Sequence, residues 1–308
     1  MCFTSQFWAL TVSGLAIGSV YALIALGYTL VYGVLQLINF AHSEVFMLGA
    51  FGAVFALRPL ASDSTPTGLR SVALVSFGVL VGGLTGAVAA FVLERTAYRP
   101  LRRRNAPKLA YLISAIGASL FMINIAGKEF GRLAINVPQL YTNGTVFHVF
   151  GAAVKTQQLV LAGAALVMLV LLDRLVNATK LGQGIRAVAQ DAETASLMGV
   201  DIDRVIVTTF LVGGFLGGAA GFLFGSITNV QNTMGFLPGV KAFTAAVLGG
   251  IGNVRGAVLG GLILGLVENY GVACTDSAYR DVIAFSILVL VLLVRPSGLL
   301  GERLGRSA

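Results

Sequence analysis

The side chains best suited to chemistry form a short polar cluster between two apolar runs, and its members are Asn39, His42, Ser43 and Glu44. Amide, imidazole, hydroxyl and carboxylate groups can form hydrogen bonds, but the ionisable ones are costly beside long apolar segments unless they are buried. Ionisable groups at membrane depth usually face the bundle interior or water, which favours a place on a translocation pathway. The alternative is a helix-end cap with His42 and Glu44 at the membrane interface.

Two further polar residues, Asn253 and Glu268, bracket a pair of apolar half-segments near the C-terminal end. Together with the first cluster they make six candidate pathway residues. A conduit needs small apolar walls and a few hydrogen-bonding groups, because a deep binding site would slow release. We therefore expect these residues to shape the bundle and its gate more than to recognise the solute.

The sequence argues against several kinds of chemistry. His42 and His148 are isolated, and two cysteines are too few for a cysteine metal site or a disulfide framework. No nucleophile has a paired base, so we predict no catalytic residues, no metal and no cofactor. The run GQGIRA at residues 182–187 matches a dinucleotide-binding pattern, but an apolar helix rather than a strand precedes it. The sequence contains no Walker motif, so energy must come from another protein.

The composition predicts an integral membrane protein. Of 308 residues, 11% are charged and 56% are hydrophobic, whereas a soluble domain carries about 25% charged residues. The mean hydropathy is +0.88. The 39 glycines would let membrane helices approach closely. The net charge of +8 does not indicate nucleic acid, because the basic residues cluster in short loops beside apolar runs.

The apolar runs predict the fold class. They are continuous and near the ~20 residues that a helix needs to cross a bilayer, whereas barrel strands would be short and alternating. The runs cover residues 7–37, 45–57, 72–93, 109–126, 159–172, a stretch starting near 205, 242–265 and 282–294. We predict an all-α, polytopic transmembrane helix bundle that forms a single domain over residues 1–308.

Basic residues predict the orientation of the chain. The densest basic segment, residues 94–108, lies in the cytosol by the positive-inside rule, and so does the C-terminal segment with Arg295, Arg303 and Arg306. Segment 128–158 then lies outside as a loop with short structure. Back-counting the runs also places the N-terminus outside.

The run at residues 242–265 has two apolar halves, each short for a crossing. The run before it would end outside and the last run would end inside, so the run at residues 242–265 must return to the outer side. We interpret it as a hairpin or a broken re-entrant helix pair near the C-terminal end. Its turn, predicted at residues 252–256, should lie at membrane depth against protein, because backbone polar groups cannot be left facing lipid.

A polar island at residues 180–204 separates two long apolar runs. Asp191 is a good N-cap, residues 192–198 are mostly helix formers, and Gly199 suits the left-handed position after a helix. Seven residues span only about 10 Å, too little to bury a core, so this helix must rest on something larger. We interpret the island as a cytosolic docking segment; the alternative is a solvated loop with a helical turn.

The island resembles the cytosolic loop by which permeases of ABC importers bind their ATPase. That loop has alanines followed by a glycine a few residues later. The ATPase-coupling residues implied by this resemblance are Arg186, Gln190, Asp191, Ala192, Glu193, Ala195, Leu197 and Gly199. Residues 190–192 read Gln-Asp-Ala where many permeases carry Glu-Ala-Ala, so the strict form is not kept.

Nearly the whole chain resembles the LivH-type permeases of bacterial branched-chain amino acid ABC importers. The motifs are GSVYAL at 18–23, INFAHSE at 38–44, KAF at 241–243, AVLGGIG at 246–252, GAVLGG at 256–261 and RPSGL at 295–299. Ser43 departs from the usual form, which has glycine there.

The resemblance implies an inner-membrane subunit that contacts membrane lipid. Its implied partners are a second, LivM-type permease, two cytosolic ABC ATPases and a periplasmic substrate-binding protein. Branched-chain amino acids are the implied substrates, and because the family includes permeases for urea and short amides, those remain an alternative. A self-sufficient secondary transporter is a second alternative, although only His42, Glu44 and Glu268 are near candidates for its titratable group.

Overall fold

The computed structural model of the chain describes residues 6–60, 66–274, 276–295 and 297–301. Arg303 and Arg306, on which the predicted side of the C-terminal segment partly rests, lie outside these ranges. A π-helical turn, Glu94–Tyr98, joins α3 to α4. The helices are α1 Phe7–Leu35, α2 His42–Leu57, α3 Leu69–Leu93, α4 Arg99–Arg103, α5 Lys108–Glu129, α6 Thr156–Ala178, α7 Lys180–Gln190, α8 Ala192–Leu197, α9 Ile202–Thr228, α10 Phe236–Gly249, α11 Val254–Cys274 and α12 Arg280–Val294, and the strands are β1 Thr145–Val149 and β2 Ala152–Lys155.

Seven of the described helical stretches are long and apolar enough to cross a membrane. They are α1, α2 with the short turn after it, the α3–α4 stretch, α5, α6, α9 and α11. Helices α10 and α12, with 14 and 15 residues, are shorter. The predicted all-α, polytopic helix bundle is confirmed.

Glycines set the closest contacts of the bundle. A Cβ atom added at Gly49 of α2 would stand 2.2 Å from the Cα of Gly218 on α9, and one added at Gly86 of α3 would stand 2.3 Å from the carbonyl oxygen of Gly214. Helix α1 meets α11 in the same way, since a Cβ at Gly18 would stand 2.9 Å from the Gly261 oxygen. The glycines of α9 therefore form a helix contact, where backbones pack at distances that no larger residue allows.

Helices α10 and α11 form the predicted broken pair. Their turn occupies residues 250–253, where Gly250 has φ +106° and Gly252 has φ +96°. The predicted turn at residues 252–256 was too late by about two residues, because Val254 already begins α11. The prediction that both halves are short was wrong for the second half: α11 runs to Cys274 and can cross. It continues through Glu268, whose charge is paired inside the protein.

The two ends of the bundle carry different connections. At 22 residues, or about 33 Å, α5 separates the basic segment from the hairpin of β1 and β2, which pair antiparallel within the loop predicted to lie outside. At the basic end, α7 was not predicted, because Gly182 and Gly184 weaken the helical pattern. Burial of Ile185 and Val188 stabilises it there.

Candidate translocation site and docking helix

The polar cluster at the start of α2 lies inside the bundle. Asn39, His42, Ser43 and Glu44 are all buried. The imidazole of His42 fills a gap between glycines of α1 and α9: a Cβ added at Gly27 would stand 2.2 Å from its Nε2 atom. That nitrogen has no hydrogen-bond partner in the described ranges. The cluster is part of the interior rather than a surface cap, and the N-cap of α2 makes no side-chain hydrogen bond.

Glu44 connects α2 to α5. Its Oε1 accepts hydrogen bonds from the Ser43 hydroxyl at 3.1 Å and from the Ser119 hydroxyl of α5 at 3.2 Å. Its Oε2 is buried and unpaired among the described residues. On the other side of the cluster, the Tyr98 hydroxyl donates to Asn39 Oδ1 at 2.8 Å. Hydrogen bonds of the cluster thus connect α5 and the π-helical turn Glu94–Tyr98 to the start of α2, and the cluster retains spare hydrogen-bonding capacity for water or a solute.

Glu268 belongs to a second polar cluster, formed by α1, α10, α11 and α12. Lys241 Nζ lies 3.1 Å from Glu268 Oε1 and 2.7 Å from Asp281 Oδ1. Arg280 Nε lies 3.4 Å from the same Glu268 oxygen, and the Tyr21 hydroxyl donates to it at 3.4 Å. Sequence reasoning missed Lys241, Arg280 and Asp281 as site residues. The signal that could have found Lys241 is its place as a lone charge within an apolar helix.

Asn253 stands apart from both clusters in its bonding, because its partners lie in the first turn of α11 and in the segment after α12. Its Oδ1 accepts from the backbone N–H groups of Arg255 at 3.0 Å and Gly256 at 3.1 Å, and its Nδ2 donates to the Leu300 carbonyl oxygen at 2.9 Å. The turn thus packs on protein. Its depth in the membrane stays a prediction.

Ion pairs between charged residues also stabilise the basic end of the bundle. Arg102 contacts the buried Glu94 at 3.1 Å and Asp203, in the first turn of α9, at 2.7 Å. Arg99 adds a 3.4 Å contact to Asp203. These ion pairs join the end of the α3–α4 stretch to the start of α9, beside the polar island at residues 180–204.

The short helix predicted in the polar island is confirmed as α8. The Asp191 carboxylate accepts from the backbone N–H groups of Glu193 at 2.9 Å and Thr194 at 3.2 Å, as an N-cap does. Hydrogen bonds from Thr194 hold the pKa of Asp191 below its ordinary value. Gly199 has φ +85°, the left-handed conformation expected after a helix.

The island residues divide into an inner and an outer set. Arg186 bonds to the Val176 carbonyl oxygen and, at 3.1 Å, to Asn177 Oδ1, and Ala195 is buried, so both hold the island to the bundle. On the outer side Leu197 and Met198 are 84% and 81% exposed. Further exposed side chains are those of Gln190, Asp191 and Glu193, and Ala192 is half-buried. Two large apolar side chains at the tip of a capped helix make a surface suited to a partner.

Known proteins similar to this chain are permeases. A family model described as "Branched-chain amino acid transport system / permease component" matches residues 10–292. This chain is 41% identical to the high-affinity branched-chain amino acid transport system permease protein LivH of Escherichia coli, over 94% of this chain and 94% of the relative. It is also 41% identical to the corresponding permease protein BraD of Pseudomonas aeruginosa, with the same two coverages. A probable branched-chain amino acid transport permease protein LivH of Methanocaldococcus jannaschii is 26% identical over 91% of this chain and 88% of its own.

The match therefore extends over the helices that form both polar clusters and over α8. The family is one of transport permeases and not an enzyme family. Together with the seven helices able to cross a membrane, the match establishes that this multi-pass inner-membrane protein belongs to the family of branched-chain amino acid transport system permease components.

Proposed function

We propose that this chain is the membrane-spanning permease subunit of an ABC importer for branched-chain amino acids. The observation that carries the proposal is identity of 41% over 94% of the chain with permeases whose names specify branched-chain amino acid transport. The chain itself performs no catalysis and binds no cofactor in this proposal; it conducts the solute.

The energy comes from two cytosolic ABC ATPases that bind the island at residues 180–204. Helix α8 is the coupling element, since its N-cap and the left-handed glycine after it define both ends of a short helix. The C-terminal end of that helix exposes Leu197 and Met198. Burial of two such side chains in a partner stabilises a complex by roughly 1.5–3 kcal/mol each. Arg186 and Ala195 transmit movement of α8 to α6 and to the rest of the island.

The other partners are a second permease of LivM type and a periplasmic substrate-binding protein. Exposed apolar side chains line α3, α5 and α12, for example Leu84, Phe121 and Leu293. Membrane lipid and the second permease would cover these faces, because both are apolar environments for them. The solute passes through the bundle beside the cluster of Asn39, His42, Ser43 and Glu44, which acts as gate and packing core; Asn253 and Glu268 stabilise the α10–α11 pair next to it.

A permease for urea or short amides is the second candidate, because it would use the same architecture. The largely apolar interior of this bundle favours a solute with an aliphatic side chain. The two are separated by uptake into proteoliposomes that contain the full complex and its binding protein. We expect ATP-dependent accumulation of leucine, isoleucine and valine, and no competition by urea or acetamide at a 100-fold excess. Accumulation of urea or acetamide in place of leucine would refute the proposal.

A further inference from the structure

A cavity of about 340 Å³ lies between α1, the end of α9 with the segment after it, α10 and the start of α12. This volume falls within the range of about 300–1,000 Å³ found for small-molecule sites. Ala134, which belongs to the segment predicted to lie outside, contributes to its wall. The cavity therefore lies at the end of the bundle opposite the basic segment. Its apolar wall consists of Ile17, Phe224, Ile227, Met234, Leu237 and Pro238.

The polar part of the cavity has both signs of charge. Lys241, Arg280 and Asp281 line it, and Glu268 stands directly behind them. Glu268 is fully buried and the Lys241 side chain is 6% exposed, whereas the side chains of Arg280 and Asp281 are 39% and 42% exposed. Lys241 thus pairs with both the buried Glu268 carboxylate and Asp281, and Arg280 also contacts Glu268. The exposed part offers one guanidinium and one carboxylate, on adjacent residues, to whatever enters the cavity.

We propose that this cavity is a receiving site for a zwitterionic α-amino acid with an aliphatic side chain. The substrate carboxylate binds Arg280, whose guanidinium fork matches a carboxylate, and the substrate ammonium group binds Asp281. The apolar wall takes the side chain. This inference rests on the proposed function and adds the groups that recognise the substrate.

The charges select for a zwitterion. A neutral solute such as urea or acetamide would displace water from Arg280 and Asp281 without supplying counter-charges, and uncompensated desolvation of charged groups is costly. A fatty acid would pair with Arg280 but gain nothing from Asp281, and an amine would do the reverse. A molecule that carries both charges a few ångströms apart satisfies both residues.

The test measures binding directly, without the periplasmic protein. The purified full complex is placed in nanodiscs, and binding of radiolabelled leucine is measured by scintillation proximity at millimolar concentrations. Unlabelled leucine and valine are expected to displace the label. Leucine amide, which lacks the carboxylate, and 4-methylpentanoate, which lacks the ammonium group, are expected to require at least a tenfold higher concentration, because each loses one charge-assisted hydrogen-bonded pair.

Variants of the cavity mouth locate the site. Arg280→Gln and Asp281→Asn are each expected to weaken leucine binding about tenfold or more. Glu129→Gln and Arg132→Gln are matched controls, since they remove exposed charges at the same end of the bundle and away from the cavity lining. If Arg280→Gln fails to assemble, Arg280→Lys keeps the charge near Glu268 and is expected to assemble and to weaken binding by a smaller factor, because lysine has no bidentate fork.

Three results would overturn the receiving site. The first is leucine binding that neither cavity variant changes, as expected if the charges serve only to fasten α10, α11 and α12. The second is equal displacement of the label by leucine and by leucine amide. The third is undetectable leucine binding by a complex that still accumulates leucine with ATP, which leaves the proposed function intact. Transport of urea or acetamide in place of leucine would instead refute the proposed function itself.

Discussion

The docking role of α8 can be tested at Gly199, where the backbone is in the left-handed region with φ +85°. An L-residue there costs about 1–2 kcal/mol, and a β-branched residue is an outlier. In the described structure a Cβ atom at this position would meet nothing within 4 Å, so the cost comes from the backbone and not from a clash. Because α8 has 6 residues and no core of its own, the strain is relieved by moving the end of α8 while the bundle stays folded.

We expect Gly199→Val to reduce the amount of leucine transported per ATP hydrolysed. A cost of about 1–2 kcal/mol lowers the population of the docked geometry roughly 5- to 30-fold. The ratio is measured in proteoliposomes, and the amount of inserted permease is checked by immunoblotting. Gly199→Asn is the matched control, since asparagine tolerates the left-handed region, and it should keep most of the coupling. The reasoning fails if Gly199→Val couples as well as the parent, or if Gly199→Asn is equally damaging.

Three further predictions concern the bundle. Gly27→Ala places a Cβ atom 2.2 Å from His42 Nε2, so overpacking of about 1–3 kcal/mol should lower the melting temperature of the complex. Gly33→Ala on the same helix is the control and should leave the melting temperature unchanged, because a Cβ there meets nothing within 4 Å in the described structure. Equal melting temperatures for the two variants would contradict the close fit of His42. For Glu44→Gln and His42→Ala, with folding checked, uptake kinetics should show a lower maximal rate at unchanged substrate preference, whereas a changed preference would contradict the gate-and-packing role. Asn253→Ala removes the cap of α11 and a hydrogen bond to the C-terminal segment, so the free energy of unfolding should fall by about 1 kcal/mol and limited proteolysis of that segment should accelerate. An unchanged cleavage rate would show that Asn253 does not hold the segment in place.

Much of the fold follows from local sequence. Continuous apolar runs predicted the spanning helices because their length matches the bilayer. The N-cap at Asp191 and the left-handed Gly199 predicted α8, because both signals lie within the helix and its ends. The cluster around His42 was predicted as polar and candidate interior, and its burial follows from the adjacent glycines of α1 and α9, which leave room for the ring.

The features that were missed depend on tertiary contacts. The end of α11 was placed too early because Glu268 suggested a boundary, whereas pairing with Lys241 compensates its charge inside the bundle. The contact of Lys241 with Asp281 joins residues far apart in sequence, so no local pattern predicts it. Helix α7 was missed because packing of Ile185 and Val188 overrides the weak helix propensity of its glycines.

The dependence of leucine uptake on ATP hydrolysis by a partner tests the central claim most directly. The permease complex is reconstituted in proteoliposomes with its binding protein, and leucine accumulation is measured with the wild-type ATPase and with a variant whose Walker lysine is replaced. We predict accumulation only with the wild-type ATPase and ATP, and none from an imposed proton or sodium gradient, because the sequence contains no ATP site of its own. Accumulation driven by an ion gradient without a working ATPase would contradict the account and identify a secondary transporter.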